Sequence, residues 1–342
     1  MNRRSFLITA PLSCASALAC SSTGQRRDAA TAYAELATSR PRKGGAPPTI
    51  LVCMPRTEQT LEVWTGLRDE LVDDFRFVVV EVESHAGSSL IAEGLRRHRP
   101  SAIVLMNNPT LSAYRELQRT AVDKTFPPAV IVMTSFLGHR PREILAATGI
   151  SYEIPLITVV TNLRKLITGR IERVGVVVRG PLRSFVAEQA ALAARERITV
   201  FPEEVGLDPN ASELKRALRR VKQQAEALWI LNDDRLLTPR LMADGWLPGL
   251  NERPWVASIV GARSLVSAAQ SFGTFAVLPD HTALGGQAAS MLLDIADRGW
   301  SLASDAEVQL PLSTTTTIDL IQARERFALR PDALQRIDRV LQ

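Results

Sequence analysis

What is scarce in this sequence removes most enzymatic readings. The 342 residues include three cysteines, and two of these, Cys14 and Cys20, fall at the very start. The body retains Cys53 alone, inside an apolar run, so no disulfide framework exists and that thiol reads as a small buried hydrophobe, not a nucleophile. The four histidines, His85, His98, His139 and His281, show neither HxxH nor HxxxH spacing. Without an acidic cluster at ligand spacing beside them, no metal is expected. No Gly-x-Ser-x-Gly elbow precedes a helix, and no phosphate loop of the Gly-x-x-x-x-Gly-Lys-Ser/Thr type occurs. Catalysis and a cofactor are therefore not expected. One-sided charge is missing too: 41 Lys and Arg are interspersed with 36 Asp and Glu, for a net +5. That excess is too small and too dispersed for a nucleic-acid footprint. Past the first twenty residues, no apolar run approaches the roughly 18 residues that cross a bilayer.

The opening "MNRRSFLITAPLSCASALAC" runs from charged to moderately apolar to small residues, which predicts an export signal over 1–19. Arg3-Arg4-Ser5-Phe6-Leu7 has the form of a twin-arginine signal, alongside the plainer alternative of a general secretory leader. "SALAC" places Cys20 as a lipidation site, while Ala17-Leu18-Ala19 equally suits ordinary cleavage. Residues 20–47 are polar, contain Pro and Gly, and lack strong apolar periodicity, as a flexible tether would. The expected location is the periplasm or cell envelope, with membrane contact through a lipid anchor alone.

From Pro48 onward, short β-branched runs alternate with amphipathic stretches. The strands "TILVCMP" (49–55), "FRFVVVEV" (75–82), "SAIVLMN" (101–107) and "AVIVMTS" (129–135) alternate with three helical patterns. After a break at "LGHRPREILAATGISYEIP", a helix over 157–167 opens a second series. Its expected strands include "RVGVVVRG" (173–180), "ITVFPEEV", "ALWILND" (227–233), "WVASIVG" (255–261) and "FGTFAVL" (272–278), with a helix over 236–246. A helix over 281–299, a late strand near 314–321 and a terminal helix in "RPDALQRIDRVLQ" complete the chain. The fold class is α/β, with two doubly wound parallel-sheet lobes and a hinge. Residues 48–152 form the first lobe and 153–278 the second, and 279–342 return to the first lobe before the late strand and C-terminal helix. Ligands of such sheets gather at the carboxyl ends of the strands, and two facing lobes close around them.

The candidate binding residues are those at strand ends. In the first lobe they are Arg56, Thr57 and Glu58 after the first strand, Asn107, Asn108 and Thr110 after the third, and Ser135 and Phe136 after the fourth. Turn formation and helix capping explain each of them individually as well. In the second lobe, Arg179 and Ser184 flank a strand-to-helix turn that could hold a carboxylate. Asn232, Asp233 and Asp234 end the strand "ALWILND". Adjacent carboxylates on a strand point to opposite faces, so Asp233 and Asp234 do not form an acid/base pair on one bond. Either they accept hydrogen bonds from a ligand, or they cap a helix ahead of Leu236. Aromatics are few at these positions (Phe136, with Trp229 and Phe272 nearby), which argues against a sugar stacked on rings.

Four passages resemble the ABC-transporter substrate-binding proteins of the type 1 periplasmic-binding fold, in the branch of uncharacterised lipoproteins known for aromatic-amino-acid receptors. They are "GISYEIPLITVVTNLRKLITGRIERVGVVV" (149–178), "ALWILNDDRLLTPRLM" (227–242), "SFGTFAVLPDHTALGGQAASMLLDI" (271–295) and "TIDLIQARERFALRPDALQRIDRVL" (317–341). The specificity lies in their order along about 50–340. Three departures stand out. Gly169-Arg170-Ile171 lacks the proline expected before arginine, Asp319 stands where Asn is usual, and Ala328-Leu329-Arg330-Pro331 replaces Gly-Leu-x-Ile-Pro. The resemblance implies capture of a small polar ligand, amino-acid-like or a carboxylate, between the lobes and delivery to an ABC permease. The alternatives are a ligand-sensing or envelope interaction protein of the same fold without a permease, and an exported enzyme.

Overall fold

The computed structural model describes residues 46–341 apart from 83–86, 123–124, 140–143, 267–271 and 305. The expected export segment, the expected lipidation site Cys20 and the expected tether up to residue 45 lie outside the described residues. The first sheet contains β1 (Thr49–Met54), β2 (Arg76–Glu81), β3 (Ala102–Met106), β4 (Ala129–Thr134) and β5 (Ala147–Ser151). Its order is β2-β1-β3-β4-β5, parallel throughout. Helices α1 (Glu58–Leu71), α2 (Gly87–His98) and α3 (Asn108–Thr120) join the strands.

Strand alternation decides which helix each residue meets. On β1, Ile50, Val52 and Met54 pack with Val63, Trp64 and Leu67 of α1. Leu51 and Cys53 face the other way, onto Ile91 of α2 and Tyr114 of α3. Cys53 is fully buried, and that burial pushes its thiol well above the ordinary range, as expected of a packing residue.

The second lobe begins with α4 (Leu156–Leu166) and adds β6 (Arg173–Arg179), α5 (Arg183–Ala193), β7 (Thr199–Val205), α6 (Ala211–Lys222) and β8 (Ala227–Ile230). A helical stretch, α7, follows as Pro239–Leu241, a π-helical Met242–Trp246 and Leu247–Asn251. Next come β9 (Ala257–Val260), β10 (Phe275–Pro279), α8 (His281–Asp297), β11 (Thr314–Asp319), α9 (Leu320–Arg326) and β12 (Arg339–Leu341). The seven strands lie in the order β12-β11-β10-β9-β8-β6-β7, with β11 antiparallel to β10 and the other pairings parallel. Val174, Val176 and Trp229 look toward α4 and α5, while Val177, Leu228 and Ile230 look toward α6 and α7.

Helix α8 follows a strand of the second sheet but buries Leu284, Ala288, Leu292 and Ile295 in the first lobe's core, against α1. The lobes are therefore interwoven, and the connections cross at 151–156, 279–281 and 309–314.

Several elements differ from the sequence expectation. The break contains β5, a fifth strand. Its segment Ala-Thr-Gly-Ile-Ser has no β-branched run to announce it, and Gly149 fits only because a Cβ there would lie 2.2 Å from the Ile131 carbonyl oxygen. The helix expected over 236–246 starts at Pro239, capped by Thr238, because Leu236 and Leu237 amides donate to the Asp233 carbonyl in a turn. It runs on to Asn251, widening to π geometry ahead of Pro248, which has no N–H to offer. The terminal helix is absent. Ala333–Arg336 make a short 3-10 turn and Arg339–Leu341 pair with β11. Asp338 explains the strand, since its carboxylate accepts from Thr316 N at 2.7 Å and Thr316 Oγ1 at 2.8 Å, tying the segment to the sheet edge.

Candidate functional site

A narrow pocket lies between the lobes, at the carboxyl ends of β4, β8 and β9. Phe136 and Tyr152 wall it from the first-lobe and hinge side, and Trp229, Asn232 and Gly261 from the second lobe. Its free volume is about 30 Å³, room for about two water molecules. A larger guest requires the lobes to part.

Phe136 comes from the first lobe but belongs to the second lobe's apolar cluster. Its backbone sits at φ 57°, and its ring meets Phe185 edge-on at 5.1 Å. A side chain in that left-handed region is disfavoured unless its surroundings hold it. Here the Phe136 amide donates to Glu153 Oε2 at 2.7 Å.

Asn232 is the polar residue with an unmet demand. Its Nδ2 donates to the Gly261 carbonyl at 2.9 Å, which fixes the amide's orientation. Oδ1 is then buried and accepts from no group among the described residues. Buried acceptors of this kind are rare because each lost hydrogen bond costs about 1–3 kcal/mol.

The remaining expected site residues are distributed differently. Arg179 and Asp233 hold each other: Nε and Nη2 each donate to the carboxylate at 2.7 Å, and Nη1 donates to the Leu207 carbonyl at 3.0 Å. Asp233 is 2% exposed and also accepts from Arg235 N at 3.0 Å, whereas Asp234 points to solvent. The helix cap is Thr238, not either aspartate. Ser184 and Arg56 are exposed, and Thr57 closes a capping box with Thr60 at the start of α1. Asn107 caps α3, accepting from Thr110 N, and Thr110 is fully buried. Asn108 Oδ1 accepts from Ser135 N at 3.1 Å, joining the ends of β3 and β4. Of the expected residues, Phe136 and Asn232 line the pocket; nearby Trp229 does too, and Phe272 lies in the core beside Trp246.

Sequence reasoning missed a second feature at the pocket's rim. Glu62 on α1 accepts from Arg263 Nη1 and Nη2, both at 2.9 Å, and the two residues come from opposite lobes. His281 Nδ1 lies 2.7 Å from Glu62 Oε2, and its Nε2 lies 3.0 Å from Tyr152 Oη. A carboxylate can only accept, so Nδ1 carries the proton and Nε2 accepts from the tyrosine. Glu58, one of the expected residues, stands 3.5 Å from Arg263 Nη1. Burial pushes the His281 imidazole below its ordinary range, against the pull of Glu62. Burial also works to raise Glu62, yet the hydrogen bonds and charges of Arg263 and His281 hold its carboxyl below the usual value. Tyr152 is pushed up by burial. The signal available in the sequence was position: Tyr152 and Glu153 stand at the junction of the two series, and His281 opens the returning helix.

No family model matches this chain. No curated protein matches it either. Solved structures do. A Streptococcus pneumoniae ABC domain in complex with L-Trp is 16% identical with a TM-score of 0.57, and the match covers 86% of this chain and 100% of that one. A substrate-binding protein with adhesive properties from Clostridium difficile, in its ligand-free open form, is 12% identical with a TM-score of 0.57 over 86% and 99% of the two chains. A conserved domain protein from Vibrio cholerae is 15% identical at 0.54, over 86% and 100%. The chain has the type 1 periplasmic-binding fold.

Proposed function

We propose that this chain is an extracytoplasmic receptor that encloses one small ligand between its lobes and delivers it to an ABC permease. One observation carries the reading: the buried, unpartnered Oδ1 of Asn232 in a pocket walled by residues of both lobes. A ligand donor completes that hydrogen bond when the lobes close, so closure is stabilised by what is bound. The fold supports this reading without naming a ligand. The export leader and Cys20 fit a receptor held at the outer face of a membrane, and no helix among the described residues is long and apolar enough to cross one. Catalysis forms no part of the reading: the pocket's lining offers no nucleophile with an adjacent base.

The test is thermal unfolding of the purified chain against amino acids, amines, sugars, short carboxylates and nucleosides. A ligand at 100 times its dissociation constant adds about 2.7 kcal/mol. The expected result is a raised midpoint with one chemical class, lost in Asn232→Leu. If no class moves the midpoint, reception of a small solute is wrong.

A second reading draws on the contacts between the lobes. Glu62 with Arg263 and Phe136 with Phe185 close the cleft using the chain's own side chains, which suits a ligand sensor whose resting state is closed. X-ray scattering separates the two: a transport receptor becomes more compact on binding, and a resting-closed sensor expands.

A further inference from the structure

The polar groups around the pocket are unevenly satisfied, and the imbalance names a ligand class. This deepens the receptor reading and rests on it. Donors at the mouth are already engaged. Phe136 N donates to Glu153, Ser135 N to Asn108, and Leu156 N, the first amide of α4, to Gln189 Oε1 at 2.9 Å. Cations near the cleft are engaged as well. Arg263 is held by Glu62, with Glu58 beside it, and Arg179 is held by Asp233. What faces the pocket is the Asn232 acceptor, the Glu153 side chain and the rings of Trp229, Tyr152 and Phe136. Among the described residues that line it, Glu153 alone is charged, and none is Lys, Arg or His.

We infer that the pocket takes an amine: a small molecule with an apolar or aromatic body and an ammonium or N–H donor, and with no carboxylate. The chemistry follows from the wall. Negative charge and aromatic faces attract a cation, and the attraction grows once water is excluded. An entering carboxylate would find an acceptor, a like charge and π faces, with no group placed to replace its lost hydration. Free amino acids carry that carboxylate, so the pocket selects against them, which revises the amino-acid or carboxylate ligand that the sequence resemblance implies. Discrimination of this kind works by leaving the wrong ligand's charge unpaired.

The experiment compares matched sets by calorimetric titration of the unmodified protein: tryptamine, tryptophan and indole-3-propionate, then phenethylamine, phenylalanine and phenylacetate. The amine of at least one set is expected to bind about tenfold or more tightly than its amino acid, with the acid weakest. Glu153→Gln keeps an oxygen for the Phe136 amide, so its unliganded melting midpoint is expected to stay close to that of the parent while amine affinity falls about tenfold. Asn232→Leu is expected to weaken the amine as well, and the ligand series itself needs no variant to fold. Binding of the amino acid or the acid as tightly as the amine overturns the amine class and leaves reception standing. Amine binding that survives unchanged in Glu153→Gln likewise overturns the assignment. Silence from every compound here and in the wider set above overturns both the class and the receptor reading.

Discussion

Arg179 and Asp233 meet across the ends of the neighbouring strands β6 and β8, in a two-pronged ion pair with both N–O distances 2.7 Å. The side chains are 13% and 2% exposed. The carboxylate that Arg179 was expected to bind is thus the protein's own. Removing one member of such a pair strands the other, which costs about 3–5 kcal/mol, whereas replacing both with apolar residues is often near neutral. Arg179→Ala is expected to lower unfolding stability by about 3 kcal/mol in urea titration, with Arg179→Met/Asp233→Leu recovering most of it. A single-variant loss under about 1 kcal/mol would show that the pair contributes little.

The same pair marks where sequence legibility ends. The strands β1, β3, β4, β6 and β8 were visible because each is a β-branched run buried on both faces, which no other element resembles at that length. β5 and β12 were invisible because sheet neighbours specify them: Gly149 against the Ile131 carbonyl, and Asp338 against Thr316. The strand ends located the cleft, but which of their residues face it depends on partners distant in sequence. Arg179 lies 54 residues from Asp233, and Glu62 lies 201 residues from Arg263. Periodicity carries no information about such pairings.

Two adjacent glycines in α8 are expected to respond oppositely to alanine. A Cβ on Gly285 would lie 2.1 Å from the Val63 carbonyl oxygen and 2.6 Å from Leu67 N, so α8 and α1 would have to separate. A Cβ on Gly286 meets nothing nearer than Glu70 Cγ at 3.9 Å. Gly285→Ala is expected to destabilise by about 3 kcal/mol, the upper end for overpacking, because backbone atoms cannot swing away. Gly286→Ala is expected to stabilise by up to about 1 kcal/mol through helix propensity. Paired denaturant titrations decide it, and equal effects from the two variants would contradict the close α1–α8 contact.

Lys222 is 3% exposed and donates to the carbonyls of Gly249 and Glu252, at the end of α7. An ammonium at a helix C-terminus is favourably placed, and it satisfies carbonyls the helix leaves open. Lys222→Met preserves the apolar stem but removes the donor, for an expected loss of about 1–3 kcal/mol. Amide exchange is expected to quicken in α7 ahead of the sheet. Uniform protection across both would place the cost elsewhere.

The Glu62–Arg263–His281–Tyr152 network is expected to make the closed form weaken in acid. His281 has its pKa lowered from 6.5 in the folded protein, so just below that pH the unfolded chain binds more protons and stability falls as pH drops. Glu62 is lowered from 4.5, so its contribution is present above that value and is lost on further acidification. Both groups act in the same direction, and the charges around them (Glu58, Arg263 and Asp280) do not titrate between pH 5 and 7 at their ordinary values. Unfolding midpoints are therefore expected to fall from about pH 6.5 downward, and X-ray scattering to show the lobes parting over the same range. His281→Gln can still donate to Glu62 and accept from Tyr152 but cannot titrate, so it should flatten the upper part of that decline while sparing the part due to Glu62. A variant that declines in step with the parent from pH 6.5 would mean that His281 does not sense protons at this joint.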